Sequence, residues 1–214
     1  MSKMTDRDFV TFFKPGQLEA YHQGTMNYQY RGMPCVKSPL DLAIYLALLW
    51  DAKPRTVFEI GSKAGGSALY FRDAMRSFGL DGSIVSIDLS PPPLAIEQVL
   101  FCQGDVHDLA ATFQRNDLHS RPRPWLVVED SVHTSAACRA ALQFFAEHLQ
   151  AGEFIVIEDG VVADLGWSDR YEGGPNRAIA QFLQDEPGVF EITAYCDMFG
   201  RNATFNPNGY LRKT

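Results

Sequence analysis

The chain has 214 residues, a length typical of one α/β domain, and its 19 basic and 26 acidic residues give a formal net charge of −7. An acidic surface repels a phosphate backbone, so we expect no nucleic-acid partner. With 46% hydrophobic and 21% charged residues, the composition is that of a globular protein and excludes a wholly disordered chain.

Export and membrane signals are missing from the sequence. The first residues, MSKMTDRDFVTFF, carry charges where a signal peptide needs an unbroken apolar core. No run of about 18 apolar residues occurs, so we expect no contact with a membrane. The four cysteines are scattered without a Cys-x-x-Cys pair, which favours free thiols over a zinc site or a disulfide framework. These patterns predict a cytoplasmic protein.

The N-terminal region differs in character from the rest of the chain. Residues 1–37 are rich in aromatic side chains and predict an arm with a helix, followed by a single domain over residues 38–214. The aromatic arm also suggests a contact between copies of the chain in a homo-oligomer. Ser38 is a typical helix cap and Pro39 suits the first helical position, so a helix is predicted to run from there to about Trp50.

From Thr56 onwards, strand and helix patterns alternate. The predicted strands are Thr56–Ile60, Ser83–Asp88, Val99–Gln103, Trp125–Asp130, Glu153–Asp159, Phe190–Ala194 and Ala203–Lys213. The predicted helices follow the glycine turn at Gly61 and cover Val106–Phe113, Ser135–Leu149 and Pro175–Leu183. The central strands are continuously apolar, which is typical of a parallel sheet covered on both faces. The alternation predicts a doubly wound, mostly parallel α/β sheet of about seven strands.

The turn after the first strand of this sheet is the first candidate site, because ligands bind beyond the carboxyl ends of parallel strands. It contains Gly61 and Gly65, but Lys63 replaces the second glycine of a dinucleotide fingerprint, and no phosphate loop is present. Glu59, just before the turn, suits a cationic ligand better than a pyrophosphate. Asp88 ends the second strand, where an acid can accept both ribose hydroxyls. Together these residues predict S-adenosylmethionine, whose sulfonium and amino groups are cationic.

Two of the residues predicted to bind this cofactor have a second interpretation. Asp105 either binds the adenine amino group or belongs to a surface turn. Glu129 is expected on the other face of its strand, toward the cofactor or as a cap. The full predicted set is Glu59, Gly61, Ser62, Gly65, Ser67, Asp88, Asp105 and Glu129.

Acidic residues also end two later strands. Asp130 follows the fourth strand, and Glu158 with Asp159 follows the fifth, so the three carboxylates are expected to converge. Uncompensated carboxylates repel one another, and Mg²⁺, which takes a few carboxylates with waters and substrate oxygens, would relieve that repulsion. The alternative is that the acids cap the helices and turns that follow. The pattern favours a magnesium site.

A histidine and a long loop lie beside these acids in the sequence. His133, three residues after Asp130, can take a proton from a hydroxyl whose pKa a metal has lowered; alternatively it is a surface residue at a helix start. The aperiodic segment Gly160–Gly174 is predicted to be a substrate lid carrying Trp167 and Tyr171. These two side chains alternatively form a local hydrophobic plug.

At these residues the chain resembles a known family. The run KSPLDLAIYLALLWDAKPRTVFEIGSKAGGSALYF resembles the cephalosporin hydroxylase family, which also contains rhamnosyl and macrolide O-methyltransferases, and VVEDSVHT, IVIEDG and TFNPNGYLRK fit the same pattern. The resemblance implies a class I methyltransferase catalytic domain, S-adenosylmethionine and a Mg²⁺ site with Asp130, Glu158 and Asp159 as ligands. The arrangement is also similar to that of catechol O-methyltransferase, in which a lysine accepts the proton at the position of His133.

The sequence therefore predicts a Mg²⁺-dependent O-methyltransferase that acts on a small-molecule acceptor, a natural product or a sugar, with His133 or Asp130 as the base. The family name also implies hydroxylation, but a non-haem iron site would require two histidines and one carboxylate, and only His133 accompanies the acids. A metal-dependent oxygenase stays the alternative, with a cofactor-binding assembly protein as a further one. An amine acceptor also stays open.

Overall fold

The computed structural model describes residues 7–214, so the first six residues of the predicted arm lie outside the described residues. The described part of the arm contains helix α1 (Pro15–Thr25) and a short antiparallel hairpin of β1 (Gln29–Tyr30) and β2 (Met33–Pro34). Leu18 of α1 is buried against Val161 and Phe205. The arm helix is thereby packed onto the segment that directly follows the predicted acidic residues.

The remaining elements alternate as the sequence predicts. Helix α2 (Pro39–Ala52) begins at Ser38, whose hydroxyl accepts the N–H of Asp41. It is followed by β3 (Thr56–Ile60), α3 (Gly66–Ser77), β4 (Ser83–Asp88), β5 (Val99–Gln103), α4 (Leu109–Arg115), β6 (Trp125–Glu129), α5 (Ser135–His148), β7 (Phe154–Ile157), α6 (Gly174–Asp185), β8 (Phe190–Ile192) and β9 (Tyr210–Lys213).

The seven longer strands form one sheet in the order β5-β4-β3-β6-β7-β9-β8. Strands β5, β4, β3, β6 and β7 are parallel, and β9 is antiparallel to both of its neighbours. Val57 and Phe58, adjacent in β3, belong to two different core clusters, because successive side chains of a strand point to opposite faces. The predicted fold class is confirmed, and the strand order reverses between β3 and β6, where a crevice forms in such sheets.

The last predicted strand, Ala203–Lys213, is wrong over its first half. Strand structure begins only at Tyr210, and the preceding residues form a buried loop. The cause is the fully buried carboxylate of Asp41, which accepts hydrogen bonds from the hydroxyl of Thr204, the backbone N–H of Phe205 and the hydroxyl of Tyr210. These hydrogen bonds give polar groups of the loop a buried acceptor, so the loop does not have to pair with a neighbouring strand.

Within residues 7–214, no helix combines the length and the apolar character needed to cross a bilayer. The four cysteines are free thiols, as predicted, and all four are buried. The segment Gly160–Gly174, expected to be aperiodic, contains two short 3₁₀ turns at Gly160–Val162 and Asp169–Tyr171. The predicted helix at Val106 likewise begins as a 3₁₀ turn before α4.

Candidate active site

A cavity of about 660 Å³ lies at the carboxyl ends of the parallel strands. Asp88 and Asp105, which follow β4 and β5, line one end of it. Asp130 and Asp159, which follow β6 and β7, line the other end, together with Trp167. The cavity therefore joins the predicted cofactor residues to the predicted acidic residues.

The glycine turn is fixed against both neighbouring strands. Asp88 Oδ2 accepts the backbone N–H groups of Ser62 at 2.8 Å and Lys63 at 3.1 Å. Gly61 has a φ of +104°, and a Cβ at this position would lie 2.1 Å from the carbonyl oxygen of Asp130. Only glycine allows so close an approach. The turn consequently presents its backbone to the cavity.

Five of the eight predicted cofactor residues line the cavity: Gly61, Ser62, Ser67, Asp88 and Asp105. Asp105 also accepts the N–H of His107 at 2.9 Å, so it caps a turn as well as facing the cavity. Gly65 is a departure from the prediction. It is buried at the start of α3, where its φ of +79° permits the turn into the helix.

Glu59 and Glu129 also depart from the prediction, since neither lines the cavity. The alternation of β3 places Glu59 on the sheet face covered by α3, where it accepts the hydroxyl of Ser86 at 2.5 Å and where burial raises its pKa. Glu129 accepts the N–H and hydroxyl of Ser131 and the thiol of Cys138 at 3.1 Å. Glu129 thus acts as a cap for the residues that follow its strand, which is the second of its two interpretations, and does not face the cofactor site.

Asp130, His133 and Asp159 form one compact group in the cavity. Each offers a ligand atom, and these atoms lie within 4.8 Å of one another. His133 Nε2 is 3.4 Å from Asp159 Oδ2. His133 and Asp159 both have positive φ angles, of 57° and 58°, a backbone conformation that is strained for residues other than glycine and that clusters at functional sites. Two carboxylates and an imidazole are a donor set that fits a divalent cation.

Glu158 does not join this group, contrary to the predicted set of three carboxylate ligands. Its two oxygens accept hydrogen bonds from Lys37 Nζ at 2.7 and 2.8 Å, and one of them also accepts the hydroxyl of Tyr45. Lys37 Nζ donates in addition to Asp130 Oδ2 at 2.8 Å. The sequence analysis missed Lys37. The available signal was the concentration of acids at one sheet edge, which calls for a cation nearby.

His133 and Asp159 affect each other's pKa, because their side chains are 3.4 Å apart. Burial lowers the pKa of His133, but the carboxylates of Asp159 and Asp130 outweigh that effect and raise it above 6.5. Burial, with the charge of Asp130, raises the pKa of Asp159 to about 6, against the opposing charge of His133. The two shifts arise because the imidazole and the carboxylates share one buried region.

Aromatic side chains line the far end of the cavity. The ring of Tyr171 packs edge-on against His133 with 5.8 Å between centroids, and the ring of Trp167 packs edge-on against His22 at 5.2 Å. His22 and Met26 of α1 line the cavity too. The sequence analysis missed both, because nothing in the pattern of α1 indicates which of its residues face the sheet.

A doubly wound sheet with a glycine turn after its first parallel strand and acids at the ends of the following strands defines the class I, S-adenosylmethionine-dependent methyltransferases. Within that class, the chain belongs to the family described as Rhamnosyl O-methyltransferase/CmcI, whose model matches residues 22–214. The predicted family and enzyme class are confirmed by this match.

Named relatives support the same family. The rhamnosyl O-methyltransferase of Mycobacterium leprae (strain TN) is 30% identical over 188 residues, which cover 85% of this chain and 81% of the relative. The rhamnosyl O-methyltransferase of Mycobacterium tuberculosis (strain ATCC 25618 / H37Rv) is 28% identical over 215 residues, covering 94% and 87%.

Solved structures agree with the fold. CmcI with Mg and SAM has a TM-score of 0.70 and 28% identity, over 88% of this chain and 77% of that chain. An O-methyltransferase from Bacillus cereus in complex with SAH has a TM-score of 0.53 at 17% identity, over 86% and 85%, and this likeness concerns the fold alone. Neither the relatives nor these structures support the oxygenase alternative.

Proposed function

We propose that the protein is a Mg²⁺-dependent O-methyltransferase that moves a methyl group from S-adenosylmethionine to a hydroxyl of a small molecule, a natural product or a sugar. The observation that carries the proposal is one cavity that joins the glycine turn and Asp88 to the group of Asp130, His133 and Asp159. The Mg and SAM of the CmcI structure and the rhamnosyl O-methyltransferase activity named for the mycobacterial relatives support it.

The residues present fit both groups. The cofactor would be held by Gly61, Ser62, Asp88 and Asp105, because the backbone of the glycine turn and the two carboxylates face the cavity. The carboxylates of Asp130 and Asp159 would hold Mg²⁺, which prefers oxygen ligands. When bound, S-adenosylmethionine supplies an electrophilic methyl group, and Mg²⁺ supplies a Lewis acid that favours loss of a hydroxyl proton.

His133 is the proton acceptor in this proposal, rather than Asp130. Asp130 Oδ2 already accepts a hydrogen bond from Lys37 Nζ at 2.8 Å, and the Asp130 carboxylate would hold Mg²⁺. His133 Nε2, 3.4 Å from Asp159 Oδ2, takes the proton, and the Asp159 carboxylate stabilises the imidazolium that forms. Burial lowers the pKa of His133, but the carboxylates of Asp159 and Asp130 raise it overall, which makes the imidazole a stronger base.

The aromatic end of the cavity orients the acceptor. Trp167 and Tyr171 line this end, and His22 of α1 lines it too and packs edge-on against the indole ring of Trp167. Holding the acceptor hydroxyl in line with the methyl group lowers the barrier by on the order of several kcal/mol, because the reactants no longer have to find that geometry. These rings also keep water from the reacting atoms.

The test is formation of S-adenosylhomocysteine from S-adenosylmethionine with a panel of glycosides, catechols, macrolides and amines. We expect formation with hydroxylated acceptors, its loss in EDTA, and its return with Mg²⁺. Undiminished turnover in EDTA would remove the metal from the proposal. Absence of S-adenosylhomocysteine with every acceptor would instead leave a cofactor-binding protein without turnover, and methylation of amines alone would overturn O-methylation.

A further inference from the structure

Lys37 is a buried cation beside the candidate metal group. Its side chain is 1% exposed, and its Nζ lies 6.0 Å from the centroids of the Tyr45 and Phe71 rings. A lone ammonium in such a place would be strongly disfavoured, so its carboxylate partners are what keep it there.

The three N–H donors of Lys37 are matched by three carboxylate oxygens. They are Asp130 Oδ2 at 2.8 Å and the two oxygens of Glu158 at 2.7 and 2.8 Å. Lys37 also lines the cavity that contains Asp159. The ammonium thus contacts Asp130, one of the two acids that would hold a divalent cation, and also Glu158 beside it.

We propose that Lys37 is a resident cation that competes with the divalent cation for the carboxylates of Asp130 and Glu158, and so sets the metal affinity of the site. The proposal rests on the proposed function in one respect, that a divalent cation binds at Asp130 and Asp159. In this role Lys37 is a positioning residue, since it acts through the two acids.

The physical argument is the balance of charge over short distances. Asp130, Glu158 and Asp159 supply three carboxylates, and Lys37 supplies one positive charge in contact with two of them. A positive charge a few ångströms from a second cation repels it, and partial burial strengthens that repulsion relative to water. Removal of the ammonium frees Glu158 and one oxygen of Asp130, so affinity for a divalent cation should rise.

A purely structural lysine makes the opposite prediction. If Lys37 only tied α2 to the sheet edge, its loss would disorder the two acids and weaken metal binding. The direction of the change therefore separates the two roles, independently of any change in turnover.

The experiment measures Mn²⁺ binding by electron paramagnetic resonance of free Mn²⁺, with Mg²⁺ in competition, for four proteins: wild type, Lys37→Met, Glu158→Gln and the double variant. We expect Lys37→Met to bind about tenfold more tightly than wild type, and Glu158→Gln about tenfold more weakly. The double variant, which restores the balance of charge, is expected to bind more tightly than Glu158→Gln. Lys53→Met, the same change at an exposed helix end, controls for net charge and should bind as wild type does.

Unchanged or weaker binding in a folded Lys37→Met would overturn the inference and leave the proposed function intact. If Lys37→Met fails to fold, because Glu158 is then buried without a partner, the double variant decides, since it removes both charges. Binding by the double variant no tighter than that of Glu158→Gln would also overturn the inference. Absence of Mn²⁺ and Mg²⁺ binding in the wild type would overturn both the inference and the metal in the proposed function.

Discussion

The two ends of the cavity are built in different ways. At the cofactor end, one short stretch of chain from Gly61 to Ser67 faces the cavity, and Asp88 fixes it through hydrogen bonds to two backbone N–H groups. At the acidic end, Lys37, Asp130 and Asp159 come from separate parts of the chain and are held by charge. Backbone geometry therefore determines the structure of the cofactor end, whereas the balance of charge among side chains determines that of the acidic end. Variants that affect one end and spare the other test this difference.

The largest effect is expected at the acidic end. Asp159→Ala should abolish Mg²⁺-dependent turnover, because it removes both a candidate metal ligand and the carboxylate that faces His133. Affinity for S-adenosylmethionine, measured by isothermal titration, should stay within a few fold of wild type. A comparable loss of cofactor affinity would show that the two ends are not separable.

A smaller loss is expected when the base alone is removed. His133→Ala should lower kcat by about 10²-fold, the usual scale for general-base catalysis. In the wild type, kcat/KM should fall as the pH is lowered through a pKa above 6.5, because the imidazolium cannot accept a proton. The variant should lose that dependence in a pH–rate profile, and a wild-type rate in the variant would exclude His133 as the base.

The cofactor end is tested by Asp88→Ala. This change leaves the N–H groups of Ser62 and Lys63 without their carboxylate acceptor and loosens the turn. Hydrogen bonds to a charged group contribute about 1.5–3 kcal/mol, so the Kd for S-adenosylmethionine should rise by about tenfold to a hundredfold. Mn²⁺ affinity should not change, and a parallel drop in Mn²⁺ binding would contradict the separation of the two ends.

The smallest effect is expected at the aromatic end of the cavity. His22→Ala removes the ring that packs against Trp167, a contact worth about 0.5–1.5 kcal/mol, so KM for the acceptor should rise by about twofold to tenfold. Cofactor affinity should be unaltered. Gln23→Ala, the neighbouring exposed residue of α1, is the matched control, and an equal rise in KM there would assign the effect to the helix instead of the ring.

The sequence predicted those features that depend on short-range pattern. Strands β3, β4, β6 and β7 were located because buried parallel strands are continuously apolar, and Asp88 and Asp159 were found because they lie at the ends of such strands. Glu59 and Glu129 also adjoin strand ends, but their own positions turn them away from the cavity, a distinction that depends on how each strand pairs and ends.

Features that depend on contacts between residues distant in the chain could not be predicted from the sequence. Lys37 reads as an ordinary residue before a helix cap, and only the folded chain brings it to Glu158. The loop before Tyr210 has the sequence pattern of a strand. Its hydrogen bonds go to Asp41 of α2 instead, and nothing in the loop's own residues predicts that partner. His22 is recognised only when α1 is packed beside Trp167.

The contact between Gly61 and the carbonyl of Asp130 has a consequence for how this protein can change. Main-chain contact alone sets the distance between the glycine turn and the end of β6, so side-chain substitutions elsewhere do not change that distance. Substitutions in α1 and in the segment Gly160–Gly174 can therefore adapt the cavity to new acceptors. The distance between the bound cofactor and the acidic group would stay the same.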